Sequence, residues 1–294
     1  MPTTSRQYVV LAAGIYQIGG PYVAGGTRTL VGAGASQTVL KTTNEGPVVR
    51  IEPGADISFE RLRITEGVFA GTIGSGRGIE CPLMPTGPRK FRVIDSDVSN
   101  NAGEGVFATA CSVELLRSTF NNNYSGASLI NGSINVERSV FSMNSVDGLY
   151  AGGVGDCFVS NSFMVRNQVG ATISVCDNST RFEFNTIVDN AQGIACYSPA
   201  SNPKKVAPSN NIIARNQTNI PDTGVGPCLY PGSLIASNVA TLNFKSPDAA
   251  PYDYHLNVGS VAIDAAAVSG LLVDFDGEQR PQGAARDVGA DEAQ

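Results

Sequence analysis

The sequence predicts an all-β chain wound as a solenoid of short parallel strands, and three observations predict it. Asparagine returns at near-constant spacing: Asn101, Asn123, Asn144, Asn167, Asn190 and Asn216 stand 22, 21, 23, 23 and 26 residues apart. Apolar residues around them alternate with period two, as in Phe91 and Val93, Val113 and Leu115, Ile134 and Val136, the pattern of a half-buried strand. A glycine then follows each of the first five anchors, at Gly105, Gly126, Gly148, Gly170 and Gly193, and opens another alternating stretch such as GVFA, GLYA or GATIS.

In chain order, YVVLAAGIYQIGG and TLVGAGASQTVL read as entry strands. ISFERLRITEG and GRGIEC form a rung with a long insertion between Gly67 and Gly78. The units VIDSDVSNNAGEG, LLRSTFNNNYSG, VERSVFSMNSVDG, VSNSFMVRNQVG, FEFNTIVDNAQG and SNNIIARNQTN follow, each holding about three short strands separated by turns. Tetratricopeptide and ankyrin repeats are longer and helical, whereas this period of about 22 residues has no helical component. The predicted fold is therefore a single-stranded right-handed parallel β-helix with a C-terminal cap. The solenoid is expected over 1–250. Residues 251–294 are expected to be a strand-and-loop cap packed on it as part of the same domain, because an open solenoid end must be covered.

The anchors have a structural explanation. A tight turn repeated rung after rung stacks its Asn side chains, which can hydrogen-bond one another and the turn backbone. The following glycine fits either positive φ or close stacking.

Composition removes several chemistries. A net charge of -6 with scattered Lys and Arg disfavours nucleic acid, which needs a basic stripe. No apolar run approaches the length of a membrane span. The single histidine, His255, would have to serve any Ser-His-Asp or Cys-His hydrolase, and a packing role is the stronger expectation for it. A His-rich zinc site cannot be built. The six cysteines lack C-x-x-C spacing. Their even number suits disulfides in an exported protein, and neighbours in sequence (81 with 111, 157 with 176, 196 with 228) are favoured among 15 connectivities, with free buried thiols as the alternative. The start, MPTTSRQYVV, lacks a signal-peptide pattern.

The entry segment, with its VVLAAGIYQIGG…TLVGAG, resembles that of bacterial right-handed parallel β-helix proteins of the pectate-lyase-like superfamily. YDYHLNVGSVAIDAA and DFDGEQRPQGAARDVGADE resemble the C-terminal signature of choice-of-anchor Q domain proteins. The resemblance implies an extracellular or cell-surface protein. It does not select among lyases, hydrolases, epimerases and non-catalytic adhesins. No anchor is visible in the chain, which stops at GADEAQ. In the pectate-lyase-like group, sites lie on the outer face of one sheet and its adjoining turn.

In this sequence that sheet should begin at the glycines. The preceding column is Arg77, Glu104, Ser125, Asp147, Val169 and Gln192, and Arg77, Glu104 and Asp147 are the catalytic candidates. Glu104 and Asp147, two rungs apart, should stand roughly 9 to 10 Å from one another, near the upper limit for an inverting carboxylate pair. Arg77 with Glu80 and Glu104 could also supply the cation and base of a uronate lyase. The outward column Glu80, Phe107, Ser128, Tyr150 and Thr172, with Tyr124 and Tyr197 nearby, suits sugar stacking; Glu80, Phe107, Tyr124, Tyr150 and Tyr197 are the binding candidates. The alternative is that these rings stack only on each other. The acids of a polygalacturonase and the tyrosine-and-histidine-rich epimerase motif are missing. DFDGEQRP looks like a calcium loop but lacks the third acid and terminal Glu, so a turn is expected, with Asp274 and Asp276 capping amides and Arg280 paired to a carboxylate such as Asp287. A second charged column, Asp95, Arg117 and Arg138, reads as a weak stabilising ladder.

The expected function is extracellular binding of a polysaccharide or cell-surface glycan by a monomer with no cofactor. A polysaccharide lyase acting on uronic-acid polymers and a surface adhesin or scaffold are the alternatives.

Overall fold

The computed structural model describes all residues except 1–4, 70, 72–74, 84–86, 177–178, 198–205, 222, 224–227 and 237–239. Strands fall into three long parallel sheets of 8, 10 and 8 strands, plus one short antiparallel pair. Through the repeat, every third strand in sequence lies beside the last, so the chain winds helically. Lys90–Ile94 of the first sheet, Asp97–Ser99 of the second and Val106–Thr109 of the third make one rung. The sole helical turn among the described residues is the 3-10 segment Ala240–Leu242.

Alternation sets which side chains meet inside. Phe91 pairs with Val113, Val113 with Ile134, and Ile134 with Cys157 along the first sheet. In the second sheet Val98, Phe120, Phe141 and Met164 form the inward column, all fully buried, with the Phe120 and Phe141 rings stacked 4.8 Å apart. Parallel pairing places like residues above like, with a register shift between Ala151 and Gly153 in the third sheet, so each rung completes the apolar layer of the next.

Each corner is closed by its own device. Between the second and third sheets the anchors form a continuous buried ladder. The Asn123 amide N–H donates to Asn144 Oδ1 at 3.0 Å, and Asn144 Nδ2 donates to the Phe120 carbonyl at 3.1 Å; the pattern runs from Asn101 to Asn216. Between the first and second sheets a parallel ladder uses Ser96, Ser118, Ser139, Ser162, Asn185 and Asn211. At both corners the residue just before the ladder takes positive φ, and it is not glycine: Arg117 (48°) and Arg138 (53°) at one, Asn122 (52°) and Met143 (54°) at the other. The ladder hydrogen bonds stabilise a backbone conformation these side chains otherwise avoid.

The glycines after the Asn ladder serve close stacking. None of Gly105, Gly126, Gly148, Gly170 and Gly193 has positive φ. A Cβ at Gly126 would sit 2.4 Å from the Gly148 carbonyl oxygen and 2.9 Å from the Phe141 ring.

The third corner, which leads from the third sheet to the next rung, carries the disulfides Cys81–Cys111, Cys157–Cys176 and Cys196–Cys228, joining cysteines 30, 19 and 32 residues apart. This is the neighbour-in-sequence pairing. All six cysteines are bonded.

The C-terminal segment lies along the outer wall of the second sheet. Early strands there keep polar outward residues, as in Asp97–Ser99. From Val140 onward the outward positions turn apolar, and Phe163, Val165, Val188, Ile212 and Ala214 pack against Tyr254, Leu256, Ala262, Val288 and Ala290. Strands covered on both faces read as apolar runs, here FMV, TIV and IIA, with Thr186 alone polar and its hydroxyl accepting the Ala290 amide. Inside this segment Arg280, fully buried, pairs with Glu292 at 2.9 Å and donates to the backbone carbonyls of Asp287 and Gly289. Its carboxylate partner is thus Glu292 rather than Asp287. The Asp287 carboxylate instead accepts amides from Asp264 and Ala293. No helix among the described residues is long and apolar enough to cross a membrane.

Candidate functional site

The third sheet presents the predicted columns in register. Glu80 pairs with Phe107, Phe107 with Ser128, Ser128 with Tyr150, and Tyr150 with Thr172, so all five face outward in one line. The pre-glycine column also holds, because the amides of Gly78, Gly105 and Gly126 donate to the carbonyls of Glu104, Ser125 and Asp147. The structure divides these residues into two groups.

The first group is a closed charge network. Arg77 donates from Nε to Glu104 at 2.8 Å and from Nη1 to Glu80 at 2.5 Å, while Arg50 donates to the other Glu80 oxygen at 2.9 Å. The Arg77 guanidinium lies 3.9 Å above the centroid of the Phe107 ring. Two cations and two carboxylates balance, and the side chains of Glu80 and Glu104 are only 11% and 12% exposed. Arg50 belongs to the group but was not among the sequence candidates. It pairs with Glu80 in register, and the irregular early rungs hid that alignment.

The second group lies nearer the C-terminus. Tyr150 stands beside Thr172, Thr172 beside Ala195, and Ser174 beside Tyr197. Gly152 completes a floor of small residues, since a Cβ there would sit 2.5 Å from the Ser174 side chain. Asp147 edges this floor and accepts the Thr172 hydroxyl at 2.5 Å. Burial pushes the Asp147 carboxyl above the usual carboxylate range, against the opposing effect of the Thr172 hydrogen bond. Burial likewise raises the Tyr150 phenol, helped by the nearby Asp147 and Tyr197. Tyr197 is 38% exposed. Tyr124, equally exposed, sits in the turn before Ser125.

Glu104 and Asp147 stand two rungs apart in the column. Ser125 lies between them in the column, and each carboxylate has its own partner, Arg77 for one and Thr172 for the other. In the second charged column Asp95 and Arg117 pair at 2.7 Å, while Arg138 donates to the Phe275 carbonyl instead. The acids of DFDG diverge: Asp274 is buried and accepts the amides of Gly277, Glu278 and Glu292, whereas Asp276 turns to His255 rather than to a backbone amide. Among the described residues, the one grouping with metal-ligand atoms in reach of each other is His255, Asp276 and Asp291.

A family model described as "Right handed beta helix region" matches residues 84–246. Among solved structures the chain is similar to the A-module of the Azotobacter vinelandii mannuronan C-5 epimerase AlgE6, at 15% identity over 79% of this chain and 91% of that chain, with a TM-score of 0.33. At that score the likeness carries no argument about activity. No curated protein matches in sequence.

Proposed function

We propose that this chain, which belongs to the right-handed β-helix region family, is an extracellular protein that binds a neutral glycan on the outer face of its third sheet, from Ser128 to Tyr197. One observation carries the reading: Tyr150 and Tyr197 rise from a floor of Gly152, Thr172, Ser174 and Ala195 that presents hydroxyls and little bulk. A tyrosine ring offers an apolar face to sugar C–H groups and a polar rim to its hydroxyls. Asp147 and Thr172 add hydrogen-bonding partners at the edge. Strand backbones hold these groups in place, with one register shift between Ala151 and Gly153, which limits the ordering cost of binding.

The same face argues against an acidic glycan. Among the described residues, the outward positions of the third sheet from Ser128 to Tyr197 include no cation to meet a uronate carboxylate. Arg77, the cation a lyase would use, already donates to two carboxylates. Three disulfides and the likeness of the tail to choice-of-anchor Q proteins support an oxidising, extracellular or surface setting.

Native affinity electrophoresis through gels loaded with neutral or uronate-containing polysaccharides tests the proposal. Retardation in a neutral gel, reduced by Tyr150→Ala, is expected. Absence of retardation in every neutral gel would favour a scaffold. Release of unsaturated uronate products, lost in Arg77→Ala and Glu104→Ala, would establish the lyase instead.

A further inference from the structure

The C-terminal segment brings three potential ligands together from separate stretches of chain. His255 comes from strand Asp253–Leu256, Asp276 from the turn after Asp274, and Asp291 from the last residues. One ligand-type atom of each lies within 4.8 Å of the other two. We propose that these three side chains bind a divalent transition-metal ion of the zinc class, which clasps the tail against the solenoid.

The imidazole carries the argument. Its Nδ1 is held by Asp253 Oδ1 at 2.5 Å, which fixes the ring and favours the tautomer that leaves Nε2 to a metal. Nε2 stands 3.0 Å from Asp276 Oδ2. The atom is shielded from solvent, and the approach is not along a hydrogen-bond direction. The buried Nε2 has no hydrogen-bond partner, and a metal ion set between it and the Asp276 and Asp291 carboxylates would satisfy all three groups. A histidine whose second nitrogen is anchored by a carboxylate is also the arrangement in which protein imidazoles bind metals.

Geometry and charge agree. Ligand atoms about 2.1 Å from a tetrahedral zinc stand about 3.4 Å from each other, so a small closure satisfies the site. Asp276, with a side chain 47% exposed on a turn, can supply it. Three carboxylates, Asp253, Asp276 and Asp291, surround the ring, and Lys245 is the cation whose field reaches Asp253 and Asp291. Asp291 also accepts the Leu256 amide, which holds it in place. An imidazole with carboxylates selects zinc-like ions over calcium or magnesium, which favour all-oxygen sites. Asp276 and Asp291 border a surface cavity of about 210 Å³ that gives an ion and its water access. Asp274, saturated by backbone amides, takes no part.

The single histidine makes the test direct, because its ring protons give one set of imidazole signals in a proton spectrum of the unlabelled chain. Zinc chloride is titrated into chelator-treated, full-length protein while those signals and the heat of binding are recorded. One zinc per chain is expected, with the His255 signals shifting in step and an excess of calcium failing to reverse them. Asp276→Asn, at an exposed position where folding is preserved, should abolish the shift, and Asp253→Ala should weaken affinity about 10–100-fold. His255 signals unmoved by saturating zinc, or zinc binding unchanged in Asp276→Asn, would overturn the proposal.

Discussion

Along the outer face of the third sheet, Arg50, Glu80 and Phe107 in one half and Ser128, Tyr150 and Thr172 in the other occupy one column of one parallel sheet. In the first half, Arg50, Arg77, Glu80 and Glu104 satisfy each other, and Arg77 covers Phe107. In the second half Tyr197 is open to solvent, and Asp147 has one hydroxyl partner. Residue types that suit catalysis are denser in the first half, yet their hydrogen-bonding capacity is directed inward. Availability of a group depends on its partners at least as much as on its chemistry.

The largest expected effect breaks the first half. Arg77→Ala strands Glu104 and leaves Glu80 with Arg50 alone, and removing one partner of a largely buried ion pair costs about 3 kcal/mol. Chemical denaturation should read that loss while the folded variant retains glycan as well as the parent. Next in size, Tyr150→Ala should weaken glycan binding about tenfold, or about 1.4 kcal/mol, measured by calorimetry. Tyr197→Ala should weaken binding comparably with a stability change within about 0.5 kcal/mol, since its ring is exposed.

The smallest effect sharpens the comparison through pH. Burial raises the Asp147 pKa, so the folded chain keeps that proton to higher pH than the unfolded chain does. Asp147 therefore contributes a loss of stability as pH rises from about 3.8 through the raised value, and the loss persists above it. Asp147→Asn removes this contribution. The Tm difference between variant and parent should grow in the variant's favour across that window and then level off.

Much of this architecture could be read from the sequence because repetition multiplies weak signals. Six Asn anchors, five glycines and the alternation fixed register well enough to place Glu80, Phe107, Ser128, Tyr150 and Thr172 in one line. The positive-φ residues were hidden because the ladder, not the residue's own preference, stabilises the turn: Met143 and Arg166 adopt it as readily as Asn122. The serine ladder emerges only from the structure, since serine is common and its last members are Asn185 and Asn211. Whether a candidate is free or paired was not legible. The Arg77 bridge to Glu104 and Glu80 depends on side-chain direction across a rung, which no period reports. His255, Asp276 and Asp291 lie too far apart in sequence to suggest a cluster until the tail packs.

Calorimetry with an oligosaccharide from whichever neutral polymer retards the protein most provides the direct test of the glycan face. Parent, Arg77→Ala and the Tyr150→Ala/Tyr197→Ala double variant would be compared under conditions where all three are folded. Equal Kd for the parent and Arg77→Ala, with a loss of about 100-fold in the double variant, is the predicted result. Undiminished affinity in the double variant, or its collapse in folded Arg77→Ala, would contradict the assignment of binding to the tyrosine half.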